Sequence, residues 1–150
     1  MLSPEQLLER EKFVASEFAR RISNQLEIWK IEAEHLNKVH PALTQIGIMV
    51  NKTPFKVGKG DNGSQYRKKE LKFRAIDRMR SRFHDYFAQE FYKLENLVFE
   101  AESKLGLSPS PTWRIGVFSK EGMEETISLV RKFMLQLEKI AREGLENANT

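Results

Sequence analysis

Basic side chains crowd into one part of the chain, and they are its most informative chemical feature. Eleven of the 25 Lys and Arg residues lie between Lys52 and Arg82, against only three acids there, Asp61, Glu70 and Asp77. This window carries a net charge of +8, whereas the rest of the chain sums to −4, which gives the total of +4. A basic island on an otherwise balanced chain indicates a polyanionic partner, and nucleic acid is the first candidate.

The spacing of these residues predicts a phosphate-binding stripe. In a helix expected from about Ser64 to Gly106, an apolar seam defines the core face, and several arginines fall on the opposite face. A guanidinium group stays charged and binds phosphate oxygens with a planar fork of donors. Arg67, Arg74 and Arg78 form the outward stripe. The full set of predicted nucleic-acid-binding residues is Lys52, Lys56, Lys59, Arg67, Lys68, Arg74, Arg78 and Arg82.

The start of this helix breaks a local rule. Arg67, Lys68 and Lys69 would stand in its first turns, where the macrodipole already places positive charge and acids are usual. This pattern favours an anion at the helix start, with the glycines of residues 58–63 allowing backbone amides to approach it. The loop does not match a Walker A sequence.

The basic island has two alternative interpretations, and both stay open. It could be a solvated helix face, on which Glu70 pairs with Arg74 and Asp77 reaches Arg80. It could also meet acidic protein, for example another copy of the chain. Candidate acids for such a pairing lie further along the same helix: Asp85, Glu90, Glu95, Glu100 and Glu102.

Catalytic and metal-binding patterns are absent from the sequence. The chain has no cysteine, which excludes disulfides and thiolate nucleophiles. Glu32 and His35 form one Glu-x-x-His pair, but a di-iron bundle needs a second copy, and neither His40 nor His84 follows a Glu at that spacing. There is no nucleophile elbow. We therefore expect a protein that is not an enzyme and has no metal or cofactor.

Apolar residues at intervals of three and four predict three long helices. The first begins at the capping sequence Ser3 to Gln6 and stops before Pro41. The third opens near Ser119. The predicted seam of the second helix is Ile76, Met79, Phe83, Phe87, Phe91, Leu94, Val98, Ala101 and Leu105, and that of the third is Met123, Ile127, Val130, Met134, Leu137 and Ala141.

Alternating apolar residues predict a small β element of two or three strands, over residues 46–57 and 113–118. A short helix over 42–50 is the alternative for its first part. The predicted fold is mainly α: an elongated bundle of three long antiparallel helices with this β element, in a single helical domain over residues 1–150.

Apolar residues on a second face of two helices predict self-association into a dimer or larger oligomer. Phe99 and Phe133 are expected at or near that interface. The N-terminus has no signal-peptide pattern, and no apolar run is long enough to span a membrane, so a cytoplasmic protein without membrane association is expected.

These observations predict a non-catalytic nucleic-acid-binding or ribonucleoprotein-accessory protein that contacts backbone phosphates with little sequence preference. Whether the ligand is DNA or RNA stays open. The alternative is a self-assembling helical scaffold or subunit whose basic island pairs with acidic protein surface.

Overall fold

The computed structural model describes residues 1–52, 62–109 and 120–145 of the chain, and this part is mainly α, as predicted. It contains α1 (Pro4–Lys52), α2 (Asn62–Leu105) and α3 (Lys120–Glu143). Helix α1 packs against both α2 and α3. The three long helices of the sequence prediction are therefore confirmed.

Helix α1 begins at the predicted cap. The Gln6 backbone N–H donates to Ser3 Oγ at 3.2 Å, and the Ser3 backbone N–H donates to Gln6 Oε1 at 2.9 Å. This reciprocal pair satisfies two of the backbone donors that a helix start leaves free, and Pro4 needs no partner because it has no N–H. The local sequence is sufficient to fix this end.

The predicted end of α1 before Pro41 is wrong, because the helix continues through the proline to Lys52. A proline inside a helix removes one backbone hydrogen bond and crowds the preceding turn, at a cost of about 3 kcal/mol. Contacts with α2 offset this cost. Leu43 is buried, Arg80 Nη2 donates to Thr44 Oγ1 at 3.1 Å, and Lys69 Nζ donates to the Asn51 carbonyl at 2.9 Å.

The predicted β element is likewise wrong over residues 46–52, since these residues belong to α1, and residues 42–50 are helical as the alternative expected. Ile46 and Ile48 alternate with Gly47 and Met49, but both isoleucines are exposed on the helix surface rather than lining a sheet face. Residues 53–57 and 113–118, the other parts of the predicted β element, lie outside the described residues. Within 1–52, 62–109 and 120–145 there is no β-strand.

Helix α2 ends at a glycine, as predicted. Gly106 has φ of +66°, and the Leu107 N–H donates to the Glu102 carbonyl at 2.8 Å. A left-handed glycine with this backward hydrogen bond is the usual way to close a helix C-terminus. Helix α3 also ends at a left-handed glycine, Gly144, with φ of +82°.

The contacts group the chain into two compact units, and each is described by itself. Unit 1 comprises Met1–Lys30 and Glu90–Thr150. In it, Gln25 on α1 contacts Glu90 on α2, whereas Lys104 of α2 lies over the ring of Phe18, so α1 and α2 run antiparallel here. Fully buried side chains of its core include Ile22, Trp29, Leu94, Val130, Leu137 and Ile140.

The core face of α3 is rotated from the predicted seam. Met123, Val130 and Leu137 are buried as expected, but Thr126, Phe133 and Ile140 complete the core face in place of Ile127, Met134 and Ala141. Thr126 fits there because its hydroxyl donates to the Gly122 carbonyl at 2.8 Å. Phe133, expected near a subunit interface, is buried within its own chain.

Unit 2 comprises Ile31–Gln89 and pairs the second half of α1 with the first half of α2. Arg80 contacts Thr44 and Lys69 contacts Asn51, so these segments are also antiparallel. Among the described residues of unit 2, the buried apolar ones are Ala33, Leu36, Leu43, Ile76 and Phe87. Met79 was predicted in the seam but is 50% exposed.

Candidate nucleic-acid interface

The buried side chains of unit 2 determine which way the basic residues of α2 point. Ile76 and Phe87 are buried and define the core face of α2 in this unit. At about 100° per residue, Arg67, Arg74 and Arg78 fall on the opposite side of the helix, and Arg82 lies beside them. All four arginines are exposed in the structure. We call Arg67, Arg74, Arg78 and Arg82 the arginine stripe.

Most of the stripe carries unneutralised charge. Within the described part of the chain, Arg67, Arg78 and Arg82 make no hydrogen bond or ion pair. Arg74 differs, because its Nη2 lies 2.7 Å from Glu70 Oε1. An exposed ion pair of this kind contributes little to stability. The alternative interpretation, a solvated helix face with internal ion pairs, explains only Arg74 among the four arginines.

The remaining predicted lysines divide into two groups. Lys68 is exposed on the flank of the stripe, and Lys52 is exposed in the last turn of α1, where a cation complements the helix dipole. Lys56 and Lys59 lie outside the described residues. The structure thus places six of the eight predicted site residues on the surface of unit 2 and does not describe the other two.

Two further cations of the basic window have structural roles. Lys69 donates to the Asn51 carbonyl at the end of α1. Arg80 is half-buried, with its Nη2 on Thr44 Oγ1 and its Nη1 3.9 Å from Asp77 Oδ1. These side chains hold α1 and α2 together, so part of the basic window is explained by packing within unit 2.

The predicted anion site at the start of α2 has less support than the arginine stripe. Helix α2 begins at Asn62, two residues before the predicted start, so Arg67 lies in its second turn rather than its first. The first turn has no acidic residue. The macrodipole effect fades beyond the first turn, and the stripe is therefore the better candidate for anion binding.

The two units differ in charge. By sequence, unit 2 contains twelve Lys and Arg residues against six Asp and Glu, a net charge of +6. Unit 1 contains thirteen Lys and Arg residues against fifteen Asp and Glu, a net charge of −2. The positive potential of the protein is therefore concentrated in the unit that carries the stripe.

A pair of histidines lies inside unit 2. The rings of His40 on α1 and His84 on α2 are 4.3 Å apart between centroids in an edge-on arrangement. Burial lowers the pKa of His40, and the neighbouring His84 and Arg80 lower it further. His40 Nε2 is buried and has no hydrogen-bond partner among the described residues. The surroundings of His40 therefore favour its neutral form.

Exposed residues that are not basic also lie next to the arginine stripe, and they were not among the predicted site residues. Leu71, Met79 and Tyr86 are exposed on α2, although Met79 was predicted in the apolar seam. Phe87 and Phe91 are buried as predicted. On a helical wheel Met79 and Tyr86 lie at the margin of the apolar seam rather than at its centre. This position was the feature of the sequence that could have predicted their exposure.

Metal and membrane features are not found in the described part of the chain. Residues 1–52, 62–109 and 120–145 hold no group of three or more His, Asp or Glu side chains arranged for a metal ion. Over the same ranges, none of the helices combines the length and apolar character that crossing a bilayer requires. The Glu32 and His35 pair gains no third ligand.

Comparison of the chain with protein-family models, with curated proteins and with solved structures gives no match. Its function is therefore inferred from its residues and their arrangement.

Proposed function

We propose that this chain is a non-catalytic nucleic-acid-binding or ribonucleoprotein-accessory protein, in which unit 2 binds backbone phosphates through the arginine stripe. The observation that carries the proposal is the exposure of Arg67, Arg78 and Arg82 without an acidic partner in the described part of the chain. Three guanidinium groups on one helix face, none of them paired with a described residue, form a surface that attracts a polyanion.

The expected recognition is of phosphate rather than of sequence. The stripe runs from Arg67 to Arg82, 15 steps of about 1.5 Å or about 22 Å along the helix axis, which is long enough for several phosphates. Phosphate contacts position a nucleic acid without reading its bases, so affinity should vary little between sequences and fall steeply with salt. DNA and RNA share this chemistry.

The test compares the wild type with a charge-reversed stripe. Fluorescence anisotropy with labelled DNA and RNA, single- and double-stranded, would be recorded at 50 mM salt. The R67E/R74E/R78E variant should lose binding and keep its helical circular dichroism, because the three side chains are exposed. The matched control is R10E/R131E/R142E, which makes the same charge change at exposed positions of unit 1. Absence of wild-type binding to all four ligands would end the proposal.

Charge-complementary assembly is the second candidate, favoured by the +6 charge of unit 2 and the −2 charge of unit 1. A basic unit of one copy pairing with an acidic unit of another would produce a homo-oligomer that also covers exposed apolar side chains such as Ile31, Met49 and Leu135. The ratio of absorbance at 260 and 280 nm, before and after a high-salt wash, separates the two candidates. Nucleic acid that co-purifies supports the first, and clean protein that polymerises at low salt supports the second.

A further inference from the structure

The exposed surface of α2 changes in character around Tyr86. Tyr86 is 51% exposed, and no described residue contacts it as an aromatic or hydrogen-bond partner. Tyr92, at 58% exposure on the same helix, instead has its ring 6.0 Å from that of Phe91. Tyr86 therefore presents an aromatic side chain of which about half is open to solvent.

This ring lies at one end of the arginine stripe. Arg78, Arg82 and Tyr86 occupy successive turns of α2 and line one shallow groove, together with Asp77, Ser81 and Asp85. Successive turns are separated by about 6 Å along the helix axis. Cationic groups and a stacking surface are thus available to the same extended ligand.

Two carboxylates in this groove argue against a purely phosphate-binding surface. Asp77 is partly neutralised by Arg80, at 3.9 Å, whereas Asp85 has no ion-pair partner in the described part of the chain. A carboxylate repels phosphate, but it accepts hydrogen bonds from the amino groups of nucleobases, and a Ser hydroxyl such as that of Ser81 can bond to several base edges. The groove therefore suits a base better than a phosphate alone.

We infer that the groove between Arg78 and Tyr86 binds a nucleobase of a single-stranded nucleic acid, which stacks on Tyr86 while the adjoining phosphates contact Arg78 and Arg82. The inference rests on the proposed function. Bases in a duplex are stacked and paired with one another, so only an unpaired strand can offer a base face to this ring. Aromatic stacking of this kind tolerates any base.

The experiment uses three ligands of similar length: a labelled 20-nucleotide single strand, the corresponding duplex, and inorganic polyphosphate, which has the charge but no bases. Y86A should weaken binding to the single strand by about five- to 150-fold, the range measured for one stacked base. Its binding to duplex and polyphosphate should stay within about twofold of wild type. Y86F keeps the ring and should retain wild-type affinity.

Y92A is the matched control, because it removes an exposed tyrosine of α2 that lies ten residues beyond Arg82. It should bind all three ligands as the wild type does. Thermal melting by circular dichroism would verify that Y86A is folded.

Several results would overturn the inference. These are an unchanged affinity of Y86A for the single strand, an equal loss on all three ligands, or tighter wild-type binding to phosphatidylserine vesicles than to the strand. If the wild type bound none of the nucleic acids, the proposed function itself would fail. If it bound them and Y86A made no difference, only the base contact would be excluded.

Discussion

Neutralising Glu70 should strengthen nucleic-acid binding. Its carboxylate is 2.7 Å from Arg74, the one member of the arginine stripe with an acidic partner in the described part of the chain. The side chains of Arg74 and Glu70 are 63% and 61% exposed, so Glu70→Gln leaves no buried group without a partner. An exposed pair at this helical spacing contributes at most about 0.5 kcal/mol to stability, and the variant should fold normally.

The size of the gain follows from counterion release. One additional neutralised phosphate on a single strand changes the slope of log K against log salt by about 0.7. Relative to 1 M salt, where the counterion contribution to log K is zero, this slope corresponds at 0.1 M salt to about fivefold tighter binding, or about 1 kcal/mol. The same slope predicts a gain of about eightfold at 50 mM and about threefold at 200 mM.

Anisotropy titrations of Glu70→Gln against a single-stranded oligonucleotide at these three salt concentrations would measure both the gain and the slope. Glu27→Gln is the control, because Glu27 pairs with Lys30 at 3.3 Å in unit 1 and its replacement changes the net charge equally. If both variants bound alike, Arg74 would not contact phosphate, and the assignment of the stripe would have to be revised.

Three further predictions concern stability, pH and assembly. Gly144→Ala should destabilise the protein by about 1–2 kcal/mol in urea unfolding, because φ of +82° is unfavourable for alanine and a Cβ there would overlap Leu8; a loss below about 0.5 kcal/mol would contradict this. Because the pKa of His40 is lowered, the unfolded chain binds a proton at a higher pH than the folded one. The contribution of His40 to the free energy of unfolding is therefore fully present above about pH 6.5 and falls at lower pH. The slope is at most about 1.4 kcal/mol per pH unit, and His40→Gln should reduce it in urea unfolding between pH 7.5 and 5.5; an equal slope in the variant would exclude His40 as the cause. Light scattering at micromolar concentration should give at least twice the 17.5 kDa chain mass, and a monomer at every concentration would exclude self-association.

Features fixed by neighbouring residues were predicted well. The reciprocal cap of Ser3 and Gln6 and the end of α2 at Gly106 depend on the few residues around them, so the sequence contains all the information that is needed. The outward direction of the arginine stripe also follows from helical periodicity alone. These parts of the fold and of the candidate site could be derived before the structure.

Features fixed by contacts between helices could not be derived in this way. Beyond Pro41, α1 is held by the burial of Leu43 and by hydrogen bonds from α2 to Thr44 and Asn51, and none of these is visible in the local sequence. With α1 predicted to end at Pro41, the roles of Lys69 and Arg80 inside unit 2 could not be predicted. The rotation of the α3 core has the same origin, since Thr126 is acceptable there through its hydrogen bond to Gly122.

The division of the chain into two units also has a consequence for the order of folding. Unit 2 is one continuous segment, Ile31–Gln89, and its helices contact each other across short sequence separations, such as 18 residues between Asn51 and Lys69. Unit 1 joins the two ends of the chain, and the Leu145 N–H reaches Glu11 across 134 residues. Loop closure over such a distance is slow and is impossible before α3 has been synthesised. The antiparallel helix pair of unit 2 can therefore form on the ribosome before α3 has been made.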